Sequence, residues 1–191
     1  MLYVGPNGMD TLKRSVIICG LIGSGKTTAA KYVSLSHQFS IVSAGETIRE
    51  LATLSGRASK RKDLQASGKD FLMKHGALHF AEVLVRKGSD RVVFEGIRPI
   101  EVVENIKIIL PNSIIIFINV DERIRISRFT ALYKEPVEKF YEYMSDPLER
   151  DAARIQSIAN YTIANNDDIN HLYAELDRII STGASKHAQV D

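Results

Sequence analysis

The chain has 191 residues, 45% of them hydrophobic and 25% charged, which suits one compact domain with a single core. Its 25 basic and 23 acidic residues leave a net charge of +2, and no lysine or arginine run is long enough to act as a nucleic-acid arm. Cys19 is the only cysteine, which excludes an intramolecular disulfide and a cysteine-based zinc cluster and points to a reducing cytoplasm. The N-terminus lacks the apolar core of a signal peptide, and the longest apolar run, Ile114 to Val120, is too short to cross a bilayer.

Residues 1–13 carry two glycines, a proline and little periodic pattern, and read as a flexible extension. Residues 14–181 then alternate apolar runs of strand length with segments of helical period. Five strands are predicted: Ser15 to Gly20, Phe39 to Ser43, Arg91 to Gly96, Ser113 to Val120 and Tyr161 to Asn165. That alternation predicts a three-layer α/β/α fold, with a five-stranded parallel sheet covered on both faces. Two stretches interrupt it, a helical insertion over 46–90 and a charged, aromatic-rich region over 124–154 suited to a mobile lid. The last helix places Ile169, Leu172, Tyr173, Leu176 and Ile179 on one face, with Asp167 or Asp168 as N-cap. Residues 182–191 read as a flexible tail.

GLIGSGKT, Gly20 to Thr27, matches the phosphate-binding loop G-x-x-x-x-G-K-[ST] at every fixed position, after a predicted strand and before a helix. Glycines let the backbone curl so that its N–H groups converge on phosphate oxygens, and the positive end of the following helix adds attraction. Gly20, Gly23, Ser24, Gly25, Lys26, Thr27 and Thr28 are therefore the expected ATP-binding residues. Lys26 would reach the β- and γ-phosphates, and the Thr27 hydroxyl would ligate Mg2+. Cys19 reads as a small core hydrophobe.

The second strand ends in SAGETIRE, Ser43 to Glu50, which resembles the acceptor segment of adenylate kinases and other nucleoside monophosphate kinases. The resemblance implies that Ser43 and Gly45 shape an acceptor pocket and that Arg49, on a helix starting near Glu46, pairs with the acceptor phosphate. EGIRP, Glu95 to Pro99, is similar to the D-G-x-P-R turn of the same kinases. On that likeness Glu95 supports magnesium, Gly96 shapes the turn, and Arg98 is a second arm on the acceptor phosphate. VDERIRISRF, Val120 to Phe129, resembles the segment in which lid arginines contribute to catalysis; Arg123 and Arg128 match best, Arg125 less well, and Arg150 and Arg154 form a second set. EGIR, ERD (Glu149 to Asp151) and NND (Asn165 to Asp167) also resemble an archaeal-type group that is dephospho-CoA kinase-like or nucleoside monophosphate kinase-like.

Together these features imply an ATP- and Mg2+-dependent kinase acting on a nucleoside or deoxynucleoside monophosphate, with no membrane or nucleic-acid partner. A dephospho-CoA kinase would carry an aspartate just after the second strand, where this chain has Ser43, Ala44 and Gly45 followed by Glu46, which disfavours that alternative but leaves it open. A GTP switch would carry N-K-x-D and D-x-x-G, and neither string occurs, although an ATPase without an acceptor stays open. GRASKRK, Gly56 to Lys62, is the only hint of an RNA contact and reads as an exposed turn. Asn165 and Asn166 stand where related kinases hold adenine, but asparagine is also a common turn residue and the turn is favoured. The spacing of Tyr133, Phe140, Tyr141 and Tyr143 favours packing over base stacking.

Overall fold

The computed structural model of the chain describes residues 14–54 and 61–185, the stretches 61–65 and 183–185 by backbone alone. The extension over 1–13, the tail beyond 185 and the basic segment 56–62, apart from the backbone of Arg61 and Lys62, lie outside the described residues. Five strands form one parallel sheet: β1 (Arg14–Gly20), β2 (Ser40–Ser43), β3 (Arg91–Glu95), β4 (Ile114–Asn119) and β5 (Tyr161–Ala164). Their spatial order is β2-β3-β1-β4-β5. Helices connect them: α1 (Lys26–His37), α2 (Ala44–Leu54), α3 (Arg61–Lys87), α4 (Ile100–Ile109), α5 (Glu122–Tyr133), α6 (Val137–Met144), α7 (Pro147–Arg154) and α8 (Ile169–Ser185), with a 3-10 turn at Ile155–Ile158.

Strands apolar at every position need cover on both faces. In β1, Val16 and Ile18 pack with Ala30 and Val33 of α1 and Leu176 of α8 on one side. Ile17 and Cys19 pack with Leu84 of α3 and Val103 and Ile106 of α4 on the other. Cys19 is fully buried, and burial pushes its thiol up to about 12, which removes it from nucleophilic chemistry. The register aligns Glu95 with Ile18 on one side and with Ser43 on the other, so the C-terminal ends of β1, β2 and β3 open into one crevice. In parallel α/β sheets ligands bind in such crevices.

The helix after β2 starts at Ala44, two residues before the position expected, because Ser43 caps it. Its hydroxyl accepts from the Glu46 amide at 3.4 Å, and its carbonyl accepts from the Thr47 hydroxyl at 2.9 Å. Arg49 therefore sits in the second turn. α3 is broken at Gly76, whose φ of 79° and ψ of 164° suit glycine alone; Phe80, Ala81 and Leu84 beyond the break are anchored in the core.

α8 is capped by Asp168, whose carboxylate accepts from the Asn170 amide at 2.7 Å, and it continues to Ser185, beyond the end at 181 expected for the domain. Leu172, Leu176, Ile179 and Ile180 are its buried face, while Ile169 is half-exposed at the helix start. Removing the Leu176 side chain leaves a hole under the sheet. Leu176→Ala is expected to destabilise the fold by about 2–5 kcal/mol, read as a lower midpoint in urea unfolding at unchanged slope.

Candidate active site

The phosphate loop turns between β1 and α1 through Gly23 (φ 79°) and Gly25 (φ 92°). Gly23 is forced by more than its dihedral: a Cβ there would stand 2.6 Å from the Arg125 carbonyl oxygen of α5. The far side of the loop is tied to the end of β5, where the buried Asn165 side chain donates to the Ser24 carbonyl at 2.9 Å. Asn166 accepts from the Asp121 amide at 2.9 Å. Both asparagines thus act as turn and tether residues.

Beside the loop lies a cavity of about 700 Å³, lined among others by Gly23, Gly25, Lys26, Thr27, Thr28 and Asn165. Gly20 and Ser24, expected at the nucleotide, are instead buried below the loop surface; Gly20 backs onto the Ile118 carbonyl, and Ser24 points inward. The Thr27 hydroxyl donates to Glu95 at 3.3 Å, bringing two hard oxygen donors together at the cavity wall. Among the described residues no group of three or more His, Cys, Asp or Glu side chains assembles. Thr27 and Glu95 fit a magnesium ion held by few protein oxygens and mostly by phosphates and water.

The Lys26 ammonium donates to the Leu21 carbonyl at 2.9 Å. Burial, with the Arg98 guanidinium adding to it, pulls its pKa down to about 8, while Glu149 and Glu95 oppose the fall. Phosphate bound against it restores the charged form, so ATP binding above that pH must take up a proton. ATP affinity is expected to weaken about tenfold between pH 7 and pH 9, and calorimetry in two buffers of different ionisation enthalpy should register proton uptake near pH 8.5.

A second cavity, about 490 Å³, opens between α2, α3 and the turn after β3. Its walls include Ile48, Leu72, Phe80, Ile97 and Leu148, and among the described residues its charged lining groups are Arg49 and Arg98. Arg98, Gly45, Gly96 and Tyr133 line both cavities, so the two are continuous. Ser43 faces the first cavity. The predicted acceptor residues Ser43, Gly45, Arg49, Gly96 and Arg98 are therefore brought together.

The expected lid arginines differ in placement. Arg128 lines the first cavity and its buried Nη1 has no partner among the described residues. Arg123 is exposed and lines neither cavity, because the inner face of α5 carries Arg125, Arg128 and Phe129 at helical spacing. Arg125 is buried as a strut. Its Nε donates to the Val120 carbonyl at 3.2 Å, its Nη1 to the Met144 sulfur at 3.4 Å, and its guanidinium lies 5.3 Å from the Phe140 ring centroid. Arg150 and Arg154 are exposed. α7 instead sends Glu149 inward, where it is fully buried and meets Arg98 Nε at 2.5 Å. Tyr133, Phe140 and Tyr143 all pack on Phe129, and Tyr133 also lines both cavities.

A family model described as an AAA domain matches residues 16–155, which includes the phosphate loop and every described residue lining the second cavity. The chain belongs to this AAA domain family. No curated protein matches its sequence. Among solved structures, shikimate kinase from Aquifex aeolicus is 16% identical, with a TM-score of 0.55 over 89% of this AAA domain chain and 98% of the kinase. Shikimate kinase from Acinetobacter baumannii, solved with shikimate, is 17% identical, with a TM-score of 0.54 over 93% and 96%. A gluconokinase from Sinorhizobium meliloti is 11% identical, with a TM-score of 0.52 over 92% and 98%. The AAA domain thus has the fold of small P-loop kinases. No described helix of it is long and apolar enough to cross a membrane.

In the sequence Glu149 stands only in the ERD resemblance and has no role of its own, although a signal was present. Ala152 and Ile155, three and six positions on, are buried, so Glu149 sits on the inner face of α7 where an apolar residue is the rule.

Proposed function

We propose that this protein is an ATP-dependent kinase that transfers the γ-phosphoryl group, with magnesium, to the phosphate of a nucleoside or deoxynucleoside monophosphate. The observation that carries this reading is Arg98, which faces a nucleotide-sized cavity at the phosphate loop and a second cavity holding one more arginine between apolar walls. Two guanidiniums suit an anionic end group, and Ile48, Leu72 and Phe80 suit a flat, weakly polar body. A polyhydroxylated acid would find no carboxylate or carboxamide side chain among the described residues lining the second cavity.

In this reading ATP lays its phosphates along the loop N–H groups and the start of α1. Lys26 leaves the Leu21 carbonyl to meet the β- and γ-phosphates, and Arg128 turns its free Nη1 toward them. Arg49 and Arg98 hold the acceptor phosphate so that one of its oxygens attacks the γ-phosphorus. The new P–O bond forms as the bond from the γ-phosphorus to the bridging oxygen breaks, and ADP carries away that electron pair. Charge stabilisation and alignment supply most of the rate, as phosphoryl transfer requires little covalent help. Magnesium, held beside Thr27 and Glu95, would neutralise charge on the β- and γ-oxygens.

The test is a transfer screen with ATP and magnesium against all ribo- and deoxyribonucleoside monophosphates, dephospho-CoA, shikimate and gluconate, with an acceptor-free control. Transfer to a monophosphate supports the proposal. Transfer only to a hydroxyl acceptor, or hydrolysis without transfer, overturns it.

A further inference from the structure

A carboxylate sealed inside a kinase site needs a reason. Glu149 is 1% exposed, and neither of its oxygens accepts an aligned hydrogen bond from any described residue, although Oε1 lies 2.5 Å from Arg98 Nε. Ion pairs buried in this way add little net stability, and an apolar side chain would pack there at lower desolvation cost. The pair is better explained by what it does to the arginine.

Arg98 lines both cavities, and no described residue takes a hydrogen bond from its Nη1 or Nη2. A carboxylate 2.5 Å from Nε attracts the guanidinium from that edge while leaving its terminal nitrogens for an incoming oxyanion. The support behind Glu149 is itself anchored. Asp146 caps α7 by accepting from the Leu148 amide at 2.9 Å and is bridged to Lys69 of α3 at 3.3 Å. The carboxylate also sits where the charges of Lys26 and Arg98 repel, so it offsets the repulsion between the two cations.

We infer that Glu149 is the positioning residue for Arg98, a carboxylate on the lid helix α7 that holds the guanidinium from behind so that its free edge grips the acceptor phosphate. The inference rests on the reading of Arg98 as an acceptor-phosphate arm. It assigns acceptor binding partly to a residue that touches no acceptor.

The experiment compares the full-length wild type with Glu149→Gln, Arg98→Ala and the double variant, each saturated with magnesium and a non-hydrolysable ATP analogue. Inorganic phosphate, titrated by calorimetry, probes the acceptor site; acceptor KM and kcat are then measured with any monophosphate the wild type phosphorylates. Glu149→Gln is expected to weaken phosphate binding and raise acceptor KM about tenfold, with ATP-analogue affinity changed less than about threefold and no further loss in the Arg98→Ala background. Tighter phosphate binding would mean that the carboxylate competes for the site, and additive losses would mean that the two residues act apart; either overturns the inference. Unchanged phosphate affinity and KM do so too.

If Glu149→Gln fails to melt cooperatively, Arg98→Lys decides, because lysine keeps the charge but has no Nε edge to hold. It should behave like Arg98→Ala, and wild-type affinity in it overturns the inference. A chain that shows the phosphate coupling yet phosphorylates no monophosphate keeps the Glu149 assignment and discards the proposed acceptor. A chain that phosphorylates a monophosphate with KM unmoved in Glu149→Gln does the reverse.

Discussion

Lys26→Ala should lower phosphoryl transfer by at least about 10³-fold at saturating ATP, a loss of the size seen when one preorganised charge is taken from a developing anion in a dry site. The structure gives three reasons for so large an effect. Lys26 is the first residue of α1, where the helix dipole already favours anions, so its ammonium adds to a field aimed at the same point. Its charge is held in partly desolvated surroundings beside Arg98, where electrostatic attraction is stronger than in water. Among the described residues its hydrogen-bond partner is the Leu21 carbonyl, which is relinquished easily. Single-turnover transfer with pre-bound ATP is the proper readout, accompanied by a thermal melt to show that the fold persists. A variant retaining a tenth or more of the wild-type rate would remove Lys26 from the chemistry.

Arg49→Ala should raise the acceptor KM by about 10- to 100-fold while leaving ATP affinity unchanged, which corresponds to the loss of one charge-assisted hydrogen-bond pair. Arg49 projects from the second turn of α2 into the second cavity only, away from the phosphate loop, and no described residue pairs with its guanidinium. Truncation therefore removes a ligand contact without stranding a buried partner. Steady-state kinetics with the acceptor varied at saturating ATP, beside a direct ATP titration, separates the two affinities. Equal losses in both would place Arg49 on the donor side, and normal acceptor kinetics would remove the basis for the pocket.

Much of this was readable from residue order because the signals are local. The apolar runs specify buried parallel strands, and the loop Gly20 to Thr27 carries its own geometry in its glycines. The ends of β2 and β3 place Arg49 and Arg98 in one pocket once the strands are adjacent. What was misplaced depends on helical phase. Arg123 and Arg128 look equivalent in sequence, but five residues is not a whole number of turns, and only Arg128 faces inward. Ser43 as a cap moved the start of α2 by one half-turn. Glu149 was quoted within ERD but given no role, because acidic residues on short helices usually face water, and only the packing of α7 against β1 and α4 makes this one internal.

Position 23 is one of the freely varying places of the phosphate-loop pattern, yet in this molecule it is closed to every side chain by the carbonyl of Arg125, a residue more than half the chain away. The restriction belongs to the meeting of two segments, so it would surface among related sequences as paired change at the two places. A pattern search that treats the loop as self-contained discards that information, whereas one that reads the loop together with the start of α5 could separate chains built like this one from those whose equivalent helix stands further off.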